Sequence, residues 1–260
     1  MGYDNLKLEI EGGIALITVD RQKALNALND ATLTEMIDAF DRCRDDEAVR
    51  AVVLTGAGDK AFVAGADINE LAKMDPLGAK VLAKRGQSVL SRLENMGKPT
   101  VAMINGFALG GGLEISLACT LRTASTAAKL GLPEVSLGII PGYGGTQRML
   151  RVAGPGVARE WILTGDMYSA EEAHRVGVVN RIFAPEELRE GTMKMVGTIL
   201  KRGPIAVRFA MEAINRGANM PQAEGENLEC DLFGLAASTQ DMKEGMAAFL
   251  EKRKPEFTGR

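Results

Sequence analysis

Apolar and polar positions alternate at the start of the chain. Residues 6–20 carry two such runs around Gly12-Gly13, the pattern of a β-hairpin. Over residues 29–46 the period lengthens. Leu33, Met36, Ile37 and Phe40 fall on one stripe and predict an amphipathic helix, with Thr32 and Glu35 as a capping box near its start. Ala51 to Leu54 is a short continuous apolar run ending at Gly56, as a buried strand does. Residues 78–96 read as helix and residues 100–104 as a strand behind Pro99. A further helix opens at Gly110-Gly111-Gly112 and runs to about Cys119, and a strand follows near residues 121–124.

This recurring order of strand, polar turn and helix predicts an α/β fold. Strand signals stop after residues 178–183. Beyond them, residues 186–201, 205–216, 223–237 and 241–252 all carry helical patterns. The expected division is therefore a catalytic core over residues 1–200 and a helical C-terminal region over residues 201–260.

Composition narrows the class. With 46% hydrophobic and 25% charged residues, the 260-residue chain has the make-up of an ordinary globular protein with an ample core. A net charge of -3 gives no general attraction to nucleic acid or an anionic membrane. Cys43, Cys119 and Cys230 are odd in number and widely spaced, which suits reduced thiols in a cytoplasmic setting better than a disulfide framework. No metal site is expected from one histidine and scattered cysteines. The first residues lack the apolar core of a signal peptide, Leu6 breaks the myristoylation pattern, and no apolar stretch is long enough to span a bilayer.

Two glycine-rich stretches carry the candidate chemistry. One is Asn105-Gly106-Phe107-Ala108-Leu109-Gly110-Gly111-Gly112-Leu113-Glu114. The other is Gly131-Leu132-Pro133-Glu134, followed by Ile140-Pro141-Gly142-Tyr143-Gly144-Gly145-Thr146-Gln147-Arg148. Unpaired N–H groups at the start of a helix attract an anion, and would stabilise an enolate if a thioester or ketone carbonyl sat there. Tight helix packing alone accounts for the same glycines. Glu114 and Glu134 each fit an ordinary helix-start carboxylate, yet their occurrence in one glycine-rich stretch suits paired acid/base work.

Other chemistries lack their residues. Neither glycine cluster satisfies G-x-G-x-x-G, since Gln147 stands at the third position after Gly142 and Gly144. There is no G-x-S-x-G elbow, and His174, the single histidine, lies in a polar helical segment that suits packing or surface exposure.

Ala61-Phe62-Val63-Ala64-Gly65-Ala66-Asp67-Ile68, Asn105 to Glu114, Pro133-Glu134 and Ile140 to Arg148 together resemble the enoyl-CoA hydratase (crotonase) family. The likeness runs from Arg21-Gln22-Lys23-Ala24-Leu25-Asn26-Ala27-Leu28 to Ala248-Phe249-Leu250-Glu251-Lys252-Arg253-Lys254, nearly the whole chain. It implies a crotonase-type spiral of β-β-α units with a helical C-terminal region, assembled as a homotrimer or as a homohexamer built from two trimers. It also implies an acyl-CoA thioester substrate, no cofactor beyond the coenzyme A carried by that substrate, and hydration of a trans-2-enoyl-CoA.

By position in the family's motifs, Ala66 and Gly111 match the N–H donors to the thioester oxygen, and Glu114 and Glu134 the two catalytic glutamates. Gly142 matches a glycine that helps position water. Lys23, Ala24, Leu25, Ala64, Asp67 and Ile68 match contacts to the adenosine end of coenzyme A, and Phe233 and Lys252 match C-terminal positions that complete that site. Three positions depart from the pattern. Asn69 stands in place of a lysine found in several members, which leaves one phosphate contact open, and Leu132 and Leu113 replace a common glutamine and cysteine.

The nearest alternative on the same scaffold is Δ3,Δ2-enoyl-CoA isomerisation, which needs only one carboxylate. One branch of the family also binds RNA. Here Lys73, Lys80, Lys84, Arg85 and Arg92 are interleaved with Glu70, Asp75 and Glu94, and no aromatic platform accompanies them, so neither a nucleic-acid nor a membrane partner is expected.

Overall fold

A computed structural model of the chain describes residues 2–260. It forms two compact units, one running to Met96 and from Thr100 to Thr192, the other made of Gly97–Pro99 and Met193–Arg260.

The first unit begins with β1 (Leu6–Glu11) and β2 (Ile14–Val19), an antiparallel hairpin. Gly12 and Gly13 turn it with φ of +57° and +82°, a conformation that side chains resist. Next comes α1 (Asp30–Asp45), which buries Leu33, Met36 and Phe40. Each such side chain contributes roughly 1.5–3 kcal/mol on leaving water. Its cap differs from the expected capping box. Asn29 accepts the Thr32 N–H through its side chain, while Glu35 turns away to accept N–H groups of Asp4 and Asn5. The carboxylate ties down the incoming chain instead of the helix start.

A repeating path follows. β3 (Ala51–Gly56), β4 (Ala61–Val63), α2 (Ile68–Leu71) and α3 (Pro76–Glu94) make its first turn. β5 (Thr100–Ile104), β6 (Phe107–Leu109) and α4 (Gly111–Ala118) make the second, and β7 (Leu121–Ser125), β8 (Lys129–Gly131) and α5 (Gly145–Thr164) the third. The unit closes with β9 (Tyr168–Ser169), α6 (Ala170–Arg175), β10 (Arg181–Phe183) and the start of α7 (Leu188–Leu200).

In each turn the first strand enters one sheet and the second strand enters another. The larger sheet has the order β1-β2-β3-β5-β7-β10, parallel from β2 onward, and the smaller has the order β4-β6-β8-β9. This is the β-β-α spiral of the crotonase fold. Parallel strands covered on both faces need continuous apolar sequence, and every residue of β3 and of β5 is buried. Asn105 stitches the crossover between sheets, with its amide nitrogen donating to the Gly56 and Gly58 carbonyls and its oxygen accepting the Gly56 N–H.

The second unit contains α8 (Pro204–Gly217), α9 (Gln222–Ala237) and α10 (Gln240–Leu250) after the end of α7. α9 and α10 leave Phe233, Leu235, Phe249 and Leu250 exposed. Among the described residues, no helix is long and apolar enough to cross a membrane.

Candidate active site

The site is built where the smaller sheet meets the first turn of α4. Gly112 brings that turn against β4, since a methyl on its Cα would lie 1.8 Å from the Val63 carbonyl oxygen. Only glycine permits this approach. Gly110, at φ +49°, donates its N–H to Gly131 at the end of β8 and accepts the Glu114 N–H, both at 2.9 Å. The start of α4 is thus fastened to both neighbouring strands. Its first N–H groups, Gly111 among them, have no partner within the helix.

Ala66 comes to the same place by a different route. In a parallel bridge between Leu28 and Ala66, the Leu28 N–H donates to Gly65 and the Asp67 N–H donates to Leu28, each at 2.8 Å. Ala66 itself therefore directs its N–H away from Leu28. A methyl on Gly111 would stand 3.6 Å from the Ala66 nitrogen. Two backbone donors from distant parts of the chain are side by side.

Glu114 rises from the first turn of α4 and is only 2% exposed. Its Oε1 accepts the N–H of Tyr143 at 2.8 Å and of Gly145 at 2.7 Å. Burial pushes its pKa up to about 7; the nearby Glu134 acts in the same direction, and the two N–H groups and Arg148 oppose it. Glu134 lies in a short 3-10 turn, Pro133–Leu137, and its Oε1 faces the Cα of Gly110. Burial lifts this carboxyl to about 7 as well, and its Oε2 is buried without a hydrogen-bond partner. A pair so placed carries one proton near neutrality, leaving one member as base and the other as acid.

The structure brings the other candidates of this unit to the same region. Lys23 and Ala24 belong to a 3-10 turn, and Leu25 follows in the left-handed region at φ +51°. The Leu25 carbonyl accepts the Ala64 N–H at 3.1 Å. Asp67 caps α2, which begins at Ile68, and its carboxylate accepts from Arg21 at 3.2 Å. Asn69 donates back to Asp67. Gly142 directly precedes Tyr143, and its carbonyl accepts from Gln87. Phe233 and Lys252 lie in the C-terminal unit, Phe233 exposed on α9 and Lys252 just past α10 at φ +57°.

Four residues of this environment escaped the sequence reading: Tyr143, Gly145, Arg148 and Gln87. The first three lie in the quoted glycine-rich motif, where the paired glycines Gly144-Gly145 were a usable signal. Gln87 gave none. Arg85 and Arg92 on α3 pair with Asp30 and Asp41, at 3.0 and 3.6 Å. His174 is exposed and its Nδ1 meets the Val179 carbonyl, and Trp161 is buried, stacked on Tyr168 with ring centroids 4.2 Å apart.

Known proteins share this fold. The sequence model of the enoyl-CoA hydratase/isomerase family matches residues 9–260. The chain belongs to the enoyl-CoA hydratase/isomerase family. It is 47% identical to a crotonyl-CoA hydratase of Syntrophomonas wolfei, over 99% of each chain, and 45% identical to a short-chain-enoyl-CoA hydratase of Clostridium acetobutylicum, over 98% of each. The solved structure of an enoyl-CoA hydratase from Bacillus anthracis superposes with a TM-score of 0.95 at 38% identity, covering 99% of this chain and all of that one. Within the enoyl-CoA hydratase/isomerase family the β-β-α spiral is thus the shared scaffold, and a buried carboxylate pair stands on it here.

Proposed function

We propose that the chain is an enoyl-CoA hydratase, a hydro-lyase that adds water reversibly across the double bond of a trans-2-enoyl-CoA to give the 3-hydroxyacyl-CoA. The observation that carries this reading is the buried pair Glu114 and Glu134 beside the N–H groups of Ala66 and Gly111. Those N–H groups polarise the thioester carbonyl and make C3 electrophilic. Glu114, in its ionised form, takes a proton from water as the water oxygen bonds to C3. The π electrons move toward the thioester oxygen as an enolate that both donors stabilise. Glu134 then delivers its proton to C2 and the carbonyl re-forms. The carboxylate pair ends with one proton, as it began. Isomerisation moves a proton between carbons and requires one carboxylate, so the second favours hydration.

Coenzyme A enters as part of the substrate. The run Lys23 to Leu25, lying along Ala64 to Ile68, is the proposed contact for its adenosine end. The exposed apolar side chains of α9 and α10 support assembly of the chain as a trimer or a pair of trimers. The buried free thiol of Cys119 supports a cytoplasmic location. Crotonyl-CoA is the substrate to test first, because two relatives are named for short enoyl chains. Hydration is followed by loss of the conjugated thioester absorbance; no loss with any enoyl-CoA contradicts the proposal.

A further inference from the structure

The segment whose N–H groups hold Glu114 is itself held from behind. The peptide group joining Gly142 and Tyr143 donates its N–H to Glu114, and on its opposite edge its carbonyl accepts from Gln87 Nε2 at 3.0 Å. The next carbonyl, that of Tyr143, accepts from Arg148 Nη1 at 2.9 Å. The peptide after that donates the Gly145 N–H to Glu114, while its carbonyl, on Gly144, accepts the Arg148 N–H at 2.9 Å. Three successive peptide planes are therefore fixed, the first by the Gln87 side chain, the second by the Arg148 side chain and the third by the Arg148 main-chain N–H.

Arg148 is anchored in turn. Its Nη2 and Nε donate to Glu94 at 2.8 and 3.4 Å, and its side chain is only 14% exposed. Gln87 and Glu94 stand about two turns apart on α3, so both project from one face of that helix. Gly144, at φ +103°, completes the arrangement: a methyl there would lie 2.5 Å from Arg148 Nη1.

We propose that Gln87 and Arg148 are positioning residues for Glu114, a fork from α3 and α5 that holds the Tyr143 and Gly145 N–H groups on Oε1. Both N–H bonds fall on that one oxygen, so the fork fixes how the carboxylate presents Oε2 to water. This inference rests on the hydratase reading of the site. Arg148 has a second effect through its charge. The charged groups facing Glu114 are Arg148 from α5 and Glu134 from the 3-10 turn, and they act on its ionisation in opposite directions.

The test measures crotonyl-CoA hydration against pH for wild type, Gln87→Met, Arg148→Met and Arg148→Lys, with thermal melting of each as the control for folding. Failure of the wild type to hydrate any enoyl-CoA removes the hydratase reading itself. Given an active wild type, a misplaced base should lower kcat by ~10–10²-fold in Gln87→Met and Arg148→Met with little change in KM. The acid limb of kcat should move to higher pH in Arg148→Met, because lost positive charge makes Glu114 harder to ionise. It should stay in place in Arg148→Lys, which keeps the charge, and in Gln87→Met. Unchanged kcat in Gln87→Met overturns the inference, whether or not Arg148→Met folds. So does a folded Arg148→Met enzyme with wild-type kcat or an unmoved acid limb.

Discussion

The carboxylate of Glu134 lies against the Cα of Gly110, so that a methyl there would stand 2.9 Å from Oε1. Gly110 is also the residue whose carbonyl receives the Glu114 N–H. One glycine thus joins the turn that presents Gly111 to both carboxylates. In the proposed mechanism, proton transfer and oxyanion stabilisation therefore share one frame, and changes at either should be felt in the same catalytic step.

Replacing either carboxylate tests the division of labour. Glu114→Gln and Glu134→Gln should each lower hydration by ~10²–10⁴-fold, the usual worth of positioned acid/base assistance. Folding should persist, since glutamine is nearly isosteric and can still accept the Tyr143 and Gly145 N–H bonds. Residual isomerase activity in Glu114→Gln alone would mark Glu114 as the water-activating member. Near wild-type hydration by Glu134→Gln would remove it as proton donor.

Activity should follow a bell-shaped pH profile. Burial lifts both carboxyls to about 7, and the proposed mechanism requires one proton on the pair. Below that region both are protonated and water has no base; above it both are ionised and C2 has no proton donor. A kcat that stays flat on one side would show that the pair does not work as a shared acid and base.

The same shift predicts a stability effect of definite sign. From 4.5 up to about 7 the folded chain retains protons that the unfolded chain has released, so folding stability falls as pH rises through that window. Glu134→Gln removes the ionising group. Its Tm should exceed that of wild type at about pH 8 and approach it at about pH 5, where the wild-type carboxyl is neutral when folded. An equal Tm difference at both pH values would contradict the raised pKa.

Neighbouring glycines should separate folding from catalysis. A methyl at Gly112 meets the Val63 carbonyl oxygen at 1.8 Å, whereas one at Gly111 meets the Tyr143 ring at 3.4 Å and the Ala66 nitrogen at 3.6 Å. Gly112→Ala should displace α4 and lower Tm. Gly111→Ala should fold and lose turnover by ~10²-fold or more, since it crowds the space between two oxyanion donors. Wild-type turnover in a well-folded Gly111→Ala protein would move the oxyanion site elsewhere.

Much of this was legible in sequence, and the omissions share a cause. β3 and β5 announce themselves as continuous apolar runs, and α1 as a stripe of Leu33, Met36 and Phe40. The smaller sheet did not. β4, β6 and β8 have three residues each, too few for a period to show, and their pairing depends on partners far along the chain. Of α5, only a helical segment around Trp161 was legible, because the backbone leaves helical geometry at Gly154, just before Pro155. Glu114 and Glu134 stood out because glycines surround them. Gln87 is one polar position on a long helix, and only the loop it meets gives it meaning.

Central to the account is that the Glu114 and Glu134 pair hydrates an enoyl thioester. The most direct measurement incubates crotonyl-CoA with wild type and with the double variant Glu114→Gln/Glu134→Gln, following thioester absorbance and product mass. Wild type should consume the conjugated thioester and yield a product heavier by one water, and the folded double variant should do neither at a measurable enzymatic rate. An inactive wild type, or a double variant as fast as wild type, would contradict the account.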